Sequence, residues 1–236
     1  MVYIMMADGF EELEAFGTID ILRRCGISVQ TLSLTGRRVV EGSHGIVIKS
    51  DSLFRRNHMN DADAIVIPGG LKGAAALKSN QVLRQALAQH AVRGTVLAAI
   101  CAGPTVLANA GVLRLRHVTC YPSLMSELGN VVFHKEAHVV RHDNIITGAG
   151  PAATSAFAFT IAEALVAPTV VAQVRKDMLY SANGENASKV LVFRGENAIE
   201  PISRTGVGSN FDTSNSVQRP SAANMLNGAD ADELIF

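Results

Sequence analysis

The chain has 236 residues, 48% of them hydrophobic, and its 21 Lys and Arg balance 21 Asp and Glu. That length can bury one sizeable core, and a net charge of zero gives no electrostatic reason to seek nucleic acid or an anionic membrane. Its three cysteines, Cys25, Cys101 and Cys120, are an odd number without a C-x-x-C pair. This argues against a disulfide framework or a thiolate zinc site and suits a reducing compartment, so a cytoplasmic location is expected.

The first six residues are apolar and run straight into Asp8, which reads as a buried first strand and not as a signal peptide or membrane span. Asp8, with Glu11 three residues on, makes a capping-box start to a helix whose apolar period runs through Phe10, Leu13, Phe16, Ile21 and Leu22. Arg23, Arg24 and Gly26 close it. Residues 27–34 read as a second strand, 35–38 as a turn, 45–48 as a short apolar run of strand type, and 51–61 as polar loop. A strand over 62–67 stops at Pro68-Gly69-Gly70, and helical spacing follows over 81–93. The pattern repeats with a strand at 95–100, a corner at Cys101-Ala102-Gly103-Pro104, and a helix reaching Asn109 before Gly111. Next come an apolar run from Val118 to Tyr121, a hairpin turning through His142-Asp143-Asn144, and an apolar helix over 154–166.

Strands alternating with helices predict a mainly parallel sheet covered on both faces, with ligands beyond the carboxyl ends of the strands. After Tyr180 the composition turns to Ser, Asn, Gly and Asp. Residues 1–180 are therefore expected to form the α/β domain and 181–236 a flexible extension. The alternative for Val190 to Phe193 is an added edge strand.

Three loops follow apolar strands and converge at one sheet edge: the stretch from Ala7 to Glu14, Pro68-Gly69-Gly70, and the corner at Cys101. A cysteine wedged between a buried strand and a helix beginning at Gly103-Pro104 lies beside free amide groups, so it is expected to titrate below the free value of about 8.5 and act as a nucleophile. Gly69 and Gly70 carry no side chains, and their N–H groups are candidates for an oxyanion hole. Glu14 shares a helix face with Glu11 and is placed to point at the cysteine. Buried there, it would hold its proton and serve as a general acid and base. On the residues alone, Glu11, Glu12 and Glu14 all read more simply as first-turn acids on a solvated face, Cys25 and Cys120 as packing, and His134, His138 and His142 as hairpin surface residues. No metal site is assigned.

Asp8-Gly9-Phe10-Glu11-Glu12-Leu13-Glu14, Ile67-Pro68-Gly69-Gly70, Ala99-Ile100-Cys101-Ala102-Gly103-Pro104 and Gly150-Pro151 together resemble the signature blocks of the ThiJ/PfpI family, in the branch of the parkinsonism-associated protein deglycase. The likeness covers about residues 1–180. It implies a flavodoxin-like (Rossmann-like) sandwich that needs no cofactor. By it Cys101 is the reactive cysteine, Glu14 its protonated partner, Gly69 and Gly70 the oxyanion donors, and Ala102, Tyr121 and His44 substrate-binding residues, His44 lying on a loop that in relatives approaches the site from a partner subunit. Homodimers are the usual assembly. The implied activity is processing of reactive aldehydes, as glyoxalase III (methylglyoxal to lactate) or as a deglycase acting on glycated protein or nucleotide.

Two positions depart from the pattern: Tyr121 stands where a histidine is common, and Ala152 replaces the glycine that commonly follows Gly-Pro. A phenol donates a hydrogen bond but is a poor base at neutral pH, so weak turnover is expected. The alternative is a non-enzymatic redox sensor and chaperone based on oxidation of Cys101. Amidotransferase or peptidase chemistry ranks third, because Ile100 and Ala102 flank the cysteine where those enzymes have glycine and histidine.

Overall fold

The computed structural model describes residues 1–55, 59–180 and 189–195. Its centre is an eight-stranded sheet built around β1 (Val2–Met6), β6 (Ala64–Ile67) and β7 (Val96–Ile100), buried on both faces. Outward from β1 lie β2 (Val29–Ser33) and β5 (Ser52–Leu53). Outward from β7 lie β11 (Ile145–Gly148), β10 (Val139–His142) and β12 (Val190–Phe193), giving the order β12-β10-β11-β7-β6-β1-β2-β5. All pairings are parallel except β10 with β11, the expected hairpin. A small antiparallel hairpin, β3 (Val39–Glu41) with β4 (Val47–Lys49), and a parallel pair, β8 (His117–Val118) with β9 (Val132–Phe133), stand outside the sheet.

Side chains on β1 alternate strictly, as a pleated strand requires. Val2, Ile4 and Met6 pack toward α1 (Glu12–Arg24), α5 (Thr154–Leu165) and α6 (Pro168–Asp177). Tyr3 and Met5 pack toward α2 (Leu71–Ser79), α3 (Gln81–Val92) and α4 (Pro104–Asn109). The expected two-faced α/β architecture is thus present. Among the described residues no helix is long and apolar enough to cross a membrane.

Two local expectations are corrected, and two helices are added. Glu11, not Asp8, caps α1: its carboxylate accepts the Glu14 N–H at 2.7 Å. Asp8 instead accepts from Arg37 at 2.7 Å and from the Glu41 N–H at 3.1 Å, so it anchors the β3–β4 hairpin. Helices α2 and α6 add to the predicted elements; α2 starts directly on Gly70 with no side-chain cap, so it carries no polar start signal. Finally, Val190–Phe193 form a sheet strand and not part of an extension, pairing parallel to β10 over four residues. Residues 181–188 and 196–236 of the expected extension lie outside the described residues.

Candidate active site

Strand β7 ends on Cys101, whose φ is 61°, a left-handed conformation uncommon for any residue with a side chain. The surroundings hold it there. Its N–H donates to the Gly148 carbonyl at 2.9 Å, and its carbonyl accepts from the Tyr121 N–H at 3.0 Å. Gly103 completes the corner, because a Cβ there would lie 2.5 Å from the Ile67 carbonyl oxygen. The strained turn lifts the sulfur out of the strand end, where it is only partly exposed.

Glu14 enters from α1, 1% exposed. Its Oε2 accepts the Gly69 N–H at 2.7 Å, it shares a hydrogen bond with the Cys101 thiol, and its Oε1 is buried without a hydrogen-bond partner among the described residues. Close approach explains Gly69, since a Cβ there would come within 2.5 Å of Glu14 Oε2 and 2.6 Å of Cys101 Cβ. Gly70 takes φ 88° so that its own N–H, with that of Ala102, faces the sulfur. The two glycines therefore differ in task. The Gly69 N–H is committed to the carboxyl of Glu14, so of the two glycines only Gly70, together with Ala102, presents its N–H to the sulfur.

Burial lifts the Glu14 carboxyl to about 7, opposed by the Gly69 N–H, helped by the charge of Glu11, and opposed by the bond to Cys101. A protonated partner near neutrality is thus consistent with the geometry. The expected depression of the Cys101 thiol is corrected, however. Burial first, then the charge and hydrogen bond of Glu14, push it up to about 12, against the pull of the Gly70 and Ala102 N–H groups. Helix α4 spans only six residues, and the donors nearest the sulfur belong to the loops. The thiol and the carboxyl act as one site that releases its first proton near neutral pH and keeps its second into strong alkali.

The remaining predicted residues lie at different distances from this pair. Ala102 is buried against it, and Tyr121 meets it through the backbone, with a ring carbon 3.6 Å from where a Cβ on Gly150 would stand. His44 takes a different partner within this chain: its N–H donates to Glu12 Oε1 at 2.6 Å and its Nδ1 lies 2.7 Å from Glu12 Oε2. These contacts raise the His44 pKa. On buried Glu12 they outweigh desolvation and lower the carboxyl. Glu11, Glu12 and His44 bring ligand atoms within 4.8 Å of one another, but the Glu12 oxygens are already spent on His44. Sequence reasoning missed this pair, as well as Gly148 as a support for Cys101, because both depend on contacts between distant segments. A cleft of about 340 Å³ runs nearby, between Leu13, Gly17 and Ile21 of α1 and Pro151, Thr154 and Tyr180.

The sequence model of the DJ-1/PfpI family matches residues 1–164. Protein dj-1beta of Drosophila melanogaster is 35% identical over 181 residues, covering 76% of this chain and 97% of its own. Its crystal structure matches with a TM-score of 0.72 at 34% identity, again over 76% and 97%. A deglycase of Pyrococcus abyssi is 32% identical over 151 residues, covering 64% of this chain and 90% of the relative.

Proposed function

The chain belongs to the DJ-1/PfpI family, and from that premise we propose that it processes small reactive aldehydes through Cys101 without a cofactor. The observation that carries this is the buried Glu14 carboxyl, lifted to about 7 and hydrogen-bonded to a left-handed Cys101. With methylglyoxal, sulfur adds to the aldehyde carbon as the thiol proton passes to Glu14, and Glu14 returns it to the new alkoxide. The N–H groups of Gly70 and Ala102, which face the sulfur, stabilise the charge that develops on the way. Glu14 then removes the C1 proton of the hemithioacetal and delivers it to C2, while the C1 hydroxyl proton passes to the C2 oxygen, giving a thioester that water cleaves to lactate and free thiol. On a glyoxal adduct the sulfur displaces the protein or nucleotide amine, which leaves with the thiol proton passed on by Glu14, and the same rearrangement and hydrolysis then complete deglycase activity. Tyr121 leaves Glu14 as the sole proton shuttle, so turnover is slow. We assign His44 to substrate contact from a partner subunit in a homodimer.

Glu14 Oε1 supports a second role. It is buried and unpartnered, and a sulfinate oxygen on Cys101 would supply its partner, as a redox sensor requires. One pair of measurements separates the two. Purified protein converts methylglyoxal to lactate, and the Cys101→Ser variant loses that rate by at least about a hundredfold. Equal rates in both proteins dismiss the enzyme, and two oxygens added selectively to Cys101 by mild peroxide then establish the sensor.

A further inference from the structure

We propose that His117, His134 and His142, with Phe193 stacked among them, form a proton-operated latch that holds β12 on the sheet edge near neutral pH and releases it in acid. The cluster lies outside the Cys101 site and joins four segments of chain. The Phe193 ring stacks on His117 with centroids 3.7 Å apart and on His134 at 5.1 Å. His117 Nδ1 and His134 Nε2 are 2.8 Å apart, and the His117 N–H donates to His142 Nδ1 at 3.0 Å.

Each of these bonds fixes a protonation state. His142 accepts on Nδ1, so that nitrogen carries no proton, and its protonation deletes the bond. The His117–His134 pair needs one N–H facing one lone pair. It keeps its bond with one added proton and loses it with two, when N–H faces N–H. His138 repeats the requirement at the strand's entrance, accepting the Lys189 N–H on Nδ1 at 3.0 Å.

Charges around the cluster do little to support an imidazolium. Among the described residues the acid paired with it is Asp143, at 3.7 Å from His142 Nε2, and Arg116 already bonds that carboxylate. Arg141 holds the Asp143 carbonyl from β10, and Lys189 repels charge on His134 from the β12 side. Burial lowers all three imidazole pKa values, with Arg116 acting further on His142 and with His117 and Lys189 acting on His134.

The sign follows from these directions. The attached state prefers neutral rings, so attachment is at full strength above the ordinary histidine pKa of 6.5 and weakens as pH falls below it. Each proton taken up on release shifts the equilibrium by up to about tenfold per pH unit, or roughly a thousandfold if all three rings charge. Release bares the edge of β10, a template for pairing with another strand. It also frees His117, which opens the short strand leading to Tyr121 and its bond on Cys101.

Hydrogen exchange of the full chain at about pH 7.5 and about pH 5.5, corrected for the intrinsic rate, tests the latch. Residues 189–195 lose at least about tenfold protection in acid while β1, β6 and β7 keep theirs, and His142→Gln makes the loss shallower. Protection of 189–195 that is the same at both pH values, or that falls together with the central strands, overturns the proposal. If His142→Gln does not fold, imidazole titration of the unaltered chain decides. Three rings titrating below 6.5 that move up in Phe193→Ala support the latch, and rings titrating at or above 6.5 overturn it.

Discussion

At the scale of single residues, the cost of the site sits on Glu14. A carboxyl that titrates near 4.5 when free is held at about 7, so the fold favours its protonated form. That contribution is complete below pH 4.5 and is lost as pH rises through 7, because the unfolded chain ionises first. Gln at this position keeps the Gly69 contact and cannot ionise. In urea titrations the Glu14→Gln protein therefore gains on the wild type between pH 4.5 and 7, by up to about 3 kcal/mol, the equivalent of the whole shift. Its Cys101, freed of a neighbouring carboxylate, titrates below 12 and has no base to take its proton, so turnover falls as stability rises. A constant stability difference across that pH range would refute the assignment of a raised carboxyl. Sequence context pointed to Cys101 and the two glycines, and the family likeness was needed to single out Glu14 from Glu11 and Glu12. It could not reveal that the Gly69 N–H is taken by Glu14, since that depends on how α1 docks against the end of β6.

Elements that repeat the strand-loop-helix unit were legible because each carries its own punctuation, such as Pro68-Gly69-Gly70 or Gly103-Pro104. Helix α2 has none: Leu71 follows the glycines directly, and the apolar Ala74 and Leu77 are too few to announce a period. The β3–β4 hairpin is likewise held from outside, by the Gly9 N–H on Glu41 at 2.7 Å, the Ser43 N–H on Phe10 at 2.8 Å, and Asp8. Replacing Asp8 with Ala separates its two candidate roles. As an anchor, its loss raises hydrogen exchange over residues 39–49 while α1 stays protected, and lowers global stability by about 1 kcal/mol. Fraying confined to the first turn of α1 would restore Asp8 as the helix cap.

For the molecule as a whole, the proposed homodimer can be tested at exposed apolar side chains. Leu13 on α1 is 57% exposed, and Ile46 and Val47 on the hairpin are 49% and 59% exposed. The homodimer proposed above would cover such side chains. Leu13→Glu then yields the 25.0 kDa monomer in sedimentation, where the unaltered chain runs as twice that mass. A monomeric wild type would remove the partner from the proposed site. The central sheet was readable from the alternation of elements, whereas its far edge was readable only as an alternative: β12 follows a polar stretch, and its place depends on Phe193 meeting histidines from three other segments.

The backbone of Cys101 is pinned by Gly148 on one side and Tyr121 on the other. On the ribosome, the strand bearing the sulfur is therefore made well before its restraints. Until Gly148 has left the exit tunnel the nascent chain carries an ordinary cysteine, and the left-handed turn at Cys101 is held only when translation has passed the hairpin. A stalled or truncated product ending before that point would carry the thiol without the turn that restrains it.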